Sequence, residues 1–243
     1  MTRVMVTSDY HAQYLDKVAF NKMLSYAKEY QPDVFVINGD LVDYFQASTF
    51  EKDPCRKTTI YQEVLIAINI LRKIRAAVKN DCKIYWIEGN HELRLSRYLR
   101  THNDVLNFPF FNTEKLFRLN EFNVKLIKAS ADYDKEPSNL GYLKISDMTI
   151  MHGDNRLNGA STSKYSGYSA SNTVRGLMCN VLIGHSHRAA KIFHTTPYKT
   201  YVGLEGGCLC RKMGSANWVQ AFITFEHDDE RSFNHRVIRT DDL

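Results

Sequence analysis

The chain has no apolar run approaching the roughly 18 residues that a membrane-spanning helix requires. Its start, MTRVMVTSDYH, has neither a hydrophobic signal core nor a small-residue cleavage site, so it reads as soluble and unexported. Cysteine is scarce and odd in number: Cys55, Cys82, Cys179, Cys208 and Cys210, with no CxxC pair. That argues against a disulfide framework and a thiolate zinc site, and it makes the reducing cytoplasm the expected home. Cys208 and Cys210 are expected on one face of a strand, without a functional role. There is no internal repeat, low-complexity tract or Pro-rich linker to divide the 243 residues, so one domain over 1–243 is expected. Nor is there a strong excess of one charge. The net value of +5 favours anionic partners but is too small to define a nucleic-acid binder.

What the sequence does have is a recurrent unit, a short β-branched apolar run that stops at a polar cluster. Val4–Val6 runs into Asp9-Tyr10-His11, Val34–Ile37 into Gly39-Asp40, and Ile84–Ile87 into Gly89-Asn90-His91. Thr149–Met151 leads into His152-Gly153-Asp154, and Val181–Ile183 into Gly184-His185-Ser186-His187. Helical periodicity fills the early gaps over Asp16–Glu29 and Thr58–Val78, and a third helix is expected over Asn90–Arg100. The later chain is richer in strands: Val124–Ala129, Leu143–Ile145, Val219–Phe225 and Phe233–Arg239, with 227–230 turning the last hairpin. The pattern predicts a mixed α/β sandwich whose second sheet comes from the C-terminal half. Ligands of such sheets sit beyond the carboxyl ends of the strands, where all five clusters fall.

Five of the nine histidines lie in these clusters, whereas His102, His194, His227 and His235 read as ordinary surface or core residues. Asp9-x-His11 and His185-x-His187 each place two side chains on one side of an extended segment. Together with Asp40, Asn90 and His152 they make seven oxygen or nitrogen donors and no sulfur, too many for one tetrahedral ion. The set suits two octahedral-like ions about 3.5–4 Å apart with a bridging carboxylate.

In their order, DxH at Asp9–His11, GDxxD at Gly39–Asp43, GNHE at Gly89–Glu92, HGD at His152–Asp154 and GHSH at Gly184–His187 resemble the calcineurin-like metallophosphoesterases. The resemblance implies a four-layer αββα sandwich with mixed β-sheets and a dinuclear centre. It places Asp9, His11 and His187 on one metal and Asn90, His152 and His185 on the other, bridged by Asp40. It further implies that a metal-bridging hydroxide attacks phosphorus in line, with His91 as proton donor to the leaving oxygen and Asp43 orienting His91. Asp43 also reads as a helix cap or loop carboxylate, and Asp154 as a brace for its loop. Mixed Asp, Asn and His ligation accepts Fe, Zn, Ni or Co as well as Mn, with Mn²⁺ the choice for activity.

Arg94 and Arg188 follow two of the motifs and are candidate phosphate ligands, although Arg94, Arg97 and Arg100 equally read as a solvated helix face. Tyr44 and Phe45 stand where phosphoprotein phosphatases of this family carry Arg and Gly, and HGD replaces their HGG. These departures favour a phosphodiesterase for a nucleotide or nucleic acid; a phosphomonoesterase or a catalytically inert scaffold are the alternatives. GNHELRLSRYL, GCLC and Asn217-Trp218 are also similar to small bacteriophage-encoded members. Two inserts, Tyr44–Thr59 and Asn155–Gly176, are candidates to shape specificity. In the second, Lys164 and Tyr165 are candidate substrate contacts, with Tyr165 and Tyr168 available to stack on a base; a plain solvated loop is the other reading.

Overall fold

The computed structural model describes residues 1–101, 112–129, 141–154, 162–212 and 217–243. His102 and positions 155–161 of the second insert lie outside the described residues.

The alternating strand and helix patterns form as expected. β1 (Thr2–Thr7), β2 (Val34–Asn38), β3 (Lys83–Ile87) and β4 (Val124–Ile127) pair in parallel, in the order β1-β2-β3-β4. α1 (Lys17–Tyr30) is capped by the Asp16 carboxylate, which accepts from the amides of Val18 and Ala19. α2 (Ile60–Ala77) starts with a reciprocal capping box between Thr59 and Gln62. α3 (Glu92–Thr101) follows β3, and the single turn α4 (Thr113–Leu116) precedes β4.

A second sheet has the order β5-β6-β7-β9-β8, from β5 (Tyr142–Ile145), β6 (Met148–Met151), β7 (Asn180–Ile183), β8 (Ala189–Thr195) and β9 (Thr200–Gly206). The last hairpin, β10 (Ala221–His227) and β11 (Ser232–Arg239), does not join it. β10 instead pairs antiparallel with β1, so the first sheet reads β11-β10-β1-β2-β3-β4 and contains both termini. The second sheet does come from the C-terminal half, as expected, while the last hairpin of that half extends the first sheet.

Three apolar layers separate the four structural layers, and strand alternation assigns residues to them. Met5, Phe35, Ile37, Ile84 and Trp86 pack with Phe20 and Met23 of α1 and with Val64 and Leu71 of α2. From the opposite face of the same strands, Val4, Val6, Val34 and Val36 meet Met148, Ile150, Leu182 and Leu204 of the second sheet. The outer face of that sheet, Met151, Val181 and Ile183, is covered by Ala170 and Val174 of α5 (Tyr168–Leu177).

α5 lies in a stretch read from sequence as a loop. Its Ser, Asn, Thr and Gly are weak helix formers, and its stability comes from the face packed on the sheet. The β8–β9 hairpin was likewise not anticipated: β8 is an edge strand whose Phe193 points to solvent, so it lacks the apolar run that marks the central strands. No helix among the described residues is long and apolar enough to cross a membrane.

Candidate metal centre

The carboxyl ends of β1, β2, β3, β6 and β7 converge, and their loops bring all seven candidate ligands together. Asp9 Oδ1 lies 3.1 Å from His187 Nε2, and His187 Nε2 lies 3.0 Å from His11 Nε2. Beside this group, Asn90 Oδ1 is 3.0 Å from His152 Nε2 and 2.8 Å from His185 Nδ1. Asp40 Oδ2 stands between the two, 3.1 Å from His152 Nε2 and 3.9 Å from His11 Nε2.

The two DxH-like pairs converge by a route other than strand alternation. Asp9, His11, Asp40, His185 and His187 all have left-handed backbone, with φ between 46° and 60°. Such geometry is rare for non-glycine residues and collects at functional sites. Because the chain turns at each of these positions, His185 and His187 face different groups: the expectation that they share one side is corrected. The turns are tied together by backbone bonds, from the amides of Tyr10 and His11 to the carbonyl of Asp40 and from Gly184 N to the carbonyl of His152.

Three of the four imidazoles are oriented from behind. His152 donates Nδ1–H to the Asn38 carbonyl at 2.9 Å, His11 Nδ1 faces Asp43 Oδ1 at 3.5 Å, and His187 Nδ1 faces Cys210 Sγ at 3.9 Å. All three therefore turn Nε2 into the site, as metal-binding histidines do. Asp9 Oδ2 accepts from Ser8 Oγ and from the His185 amide, whereas Asp9 Oδ1 is buried with no hydrogen-bond donor. An orphaned buried carboxylate oxygen facing imidazole nitrogens fits a cation, and the all-oxygen and nitrogen donor set fits a borderline or hard divalent ion.

Charges in this cluster are strongly interdependent. Burial pushes the His152 imidazole towards neutrality, but the adjoining Asp40 carboxylate outweighs it and holds the pKa up at about 10. Burial likewise disfavours ionised Asp40, yet the surrounding imidazoles, His152 first, hold it well below the usual carboxylate range.

Two buried acids that the motifs did not identify by role fix the GDxxD loop. Glu92 accepts from the amides of Asp40 (3.0 Å), Val42 (3.2 Å) and Gly89 (2.5 Å). Glu63 Oε2 accepts from those of Asp43 and Tyr44, both at 2.8 Å. Glu63 was detectable as a charged residue on the otherwise apolar stripe of α2. The close nesting also accounts for Gly89: a Cβ there would overlap Asp40 Oδ1 and the Asp40 amide nitrogen.

The site opens into a cavity of about 460 Å³ whose walls include His91, Asp43, Arg94, Arg56 and Trp218. His91 Nδ1 lies 2.9 Å from Asp43 Oδ1, and its Nε2 lies 3.7 Å from Asp40 Oδ2 and 3.0 Å from an Arg94 nitrogen. Burial lowers the His91 pKa, but Asp40 and Asp43 together raise it above the ordinary imidazole value. Arg94 also donates to the Asp43 carbonyl at 2.8 Å. Lys164 and Arg188 line an adjoining concavity, with Arg188 donating to the carbonyls of Ser163 and Ser186. Tyr165 lines neither cavity; it stands exposed beside Tyr168, their ring centroids 5.7 Å apart. Asp154 is half-buried, directly after the His152 turn.

Sequence reading missed several wall residues. Arg56 lies over the Phe45 ring at 4.2 Å, within 4.0 Å of Asp43 Oδ2. Trp218 stands edge-on to His187, centroids 4.2 Å apart. Cys208 and Cys210 are buried in isolated β-bridges rather than in one strand, with Cys210 supporting His187. These contacts join residues distant in the chain and leave no periodic signal.

The chain matches the calcineurin-like phosphoesterase family over residues 2–191 and belongs to that family, one of metal-dependent phosphoester hydrolases. Among individual proteins, it is 24% identical to the gene 54 protein of Mycobacterium phage L5, over 94% of this chain and 90% of that one. The similarity to phage-encoded members seen in the sequence thus has a counterpart. Among solved structures it is similar to a metallophosphoesterase from Sphaerobacter thermophilus (15% identity, TM-score 0.49, 98% of this chain and 88% of the other). It is also similar to a phosphoesterase from E. coli (12% identity, TM-score 0.44, 98% and 100%).

Proposed function

We propose that the chain is a phosphodiesterase with a dinuclear centre, in which Asp9, His11 and His187 hold one divalent ion, Asn90, His152 and His185 the other, and Asp40 both. The observation that carries this is the meeting of two donor groups at one carboxylate oxygen, Asp40 Oδ2. When bound, such a pair of ions supplies Lewis acidity and acidifies a water for attack on phosphorus. Mn²⁺ is the proposed activating ion.

The protein's own residues do the rest. Asp43 accepts the Nδ1–H of His91 and fixes the ring, so that Nε2, once protonated and released from the Arg94 N–H that it faces, can deliver a proton to the leaving oxygen as the P–O bond breaks. Arg94 and Arg56 flank that ring and Asp43, where a phosphoryl oxygen is neutralised. Phe45, Phe50 and Trp218 give the cavity an apolar wall suited to the second ester group of a diester. The substitution of Tyr44-Phe45 for Arg-Gly supports the same choice. A monoesterase is the second reading, favoured by the pair of arginines, which would also balance a dianion.

The test is hydrolysis of bis-p-nitrophenyl phosphate beside p-nitrophenyl phosphate, with Mn²⁺ or chelator and with Asp40→Ala as the blank. Preference for the diester, with two ions per chain lost in Asp40→Ala, is the expected result. Preference for the monoester would reverse the substrate assignment.

A further inference from the structure

The metal centre does not lie at the end of its cavity but in the middle of a trough. Phe50 and Arg94 form part of the central wall and also of a neighbouring concavity of about 380 Å³, which continues along α3 to Arg97 and Tyr98. On the other side, His187 and Trp218 are shared with a third concavity of about 370 Å³ that runs to Lys164 and Arg188. Each arm has the volume of an ordinary small-ligand site. A monoester, or the end of a chain, fills one arm and leaves the other without a purpose.

Both arms combine cations with aromatic faces. In the first, Phe50 and Tyr98 are 71% and 42% exposed, beside the exposed Arg97 on the same helix as Tyr98. In the second, Trp218 lies at the inner end and Lys164 further out, the latter carrying its ammonium 5.5 Å from the Tyr165 ring centroid. Alternation of positive charge with side-chain rings is how proteins hold an unpaired strand: phosphates follow the cations and bases stack on the rings. Paired bases in a duplex offer no free face to such rings.

We propose that the trough seats a single-stranded nucleic acid across the metal centre, and that the scissile phosphodiester is internal to the strand. This rests on the phosphodiesterase reading and specifies its substrate. One water is consumed per cut. Its oxygen bonds to phosphorus and its proton is released to solvent, one P–O bond breaks, one new end keeps the phosphate, and the other leaves as a hydroxyl with a proton from His91 that solvent then replaces.

The test uses the full chain loaded with Mn²⁺ on a covalently closed circle of single-stranded DNA, which has no ends to attack. The circle is expected to be opened, and a duplex of the same sequence to be cut much more slowly. Tyr98→Ala in one arm and Lys164→Ala in the other should each lower kcat/KM on a single-stranded oligonucleotide about tenfold more than on bis-p-nitrophenyl phosphate. Binding of a fluorescein-labelled thymidylate dodecamer in chelator, followed by anisotropy, should weaken in both variants and with added salt. Tyr98→Phe keeps the ring and should retain wild-type binding; equal loss in Tyr98→Phe and Tyr98→Ala would overturn the stacking argument. Sensitivity confined to one arm would mean end-on binding and overturn the proposal. An intact circle alongside metal-dependent hydrolysis of the small diester would overturn it while leaving the phosphodiesterase reading standing. Hydrolysis of the monoester alone would remove both.

Discussion

Replacing Glu63 with glutamine should make the protein more stable near neutral pH, although it changes a residue that holds the GDxxD loop. Glu63 is completely buried, and only one of its oxygens is used: Oε2 accepts two amides, while Oε1 has no partner. That is the pattern of a neutral acid, with a doubly bonded acceptor oxygen and an idle hydroxyl. Burial raises its pKa from 4.5 to about 7, against the lowering effect of the two amides. Since the folded value exceeds the unfolded one, the stabilisation is fully present below about pH 4.5 and is lost as pH rises through about 7. A displacement of this size corresponds to about 3 kcal/mol. Glutamine has the shape of the neutral acid and keeps the oxygen that accepts both amides. Urea unfolding in chelator from about pH 5 to pH 8 should therefore show wild type and Glu63→Gln converging at the acid end, with the variant gaining up to about 3 kcal/mol at the alkaline end. A gap that does not change with pH would refute the reasoning. Glu63→Ala, which strands two buried amides, should lose about 2–4 kcal/mol at the acid end, and the loss should shrink as pH rises and wild-type Glu63 ionises.

His91→Ala should keep both ions by elemental analysis while kcat falls by about 10²–10⁴-fold, most for poorly activated leaving groups; loss of metal would show that His91 is a ligand. Gly89→Ala should cost metal binding and lower Tm, because the added Cβ displaces Asp40; a variant with full stoichiometry would contradict that placement. Adding Mn²⁺ to chelator-treated protein should raise the apparent stability by about 2.7 kcal/mol at a hundredfold excess over Kd, measured as a Tm shift that Asp40→Ala abolishes.

The sequence by itself determined the strand ends and what stands there. Short, nearly continuous β-branched apolar runs mark strands covered on both faces, so β1, β2, β3, β6 and β7 were legible, as were α1 and α2 from their helical periodicity. The ligand types were legible for the same local reason: seven hard or borderline donors at strand ends, within motifs whose order resembles one family. Tertiary structure alone decided what depends on contacts between distant residues. The left-handed turns send His185 and His187 to different groups. Cys210 and Asp43 come to stand behind His187 and His11 across long stretches of chain. α5 and the β8–β9 hairpin are held by packing and pairing rather than by propensity, and the C-terminal hairpin returns to β1 because that edge had an unpaired ladder. The trough belongs to this second kind: Tyr98, Trp218 and Lys164 share no pattern in the sequence, and only the convergence of three loops and a helix places them on adjoining concavities.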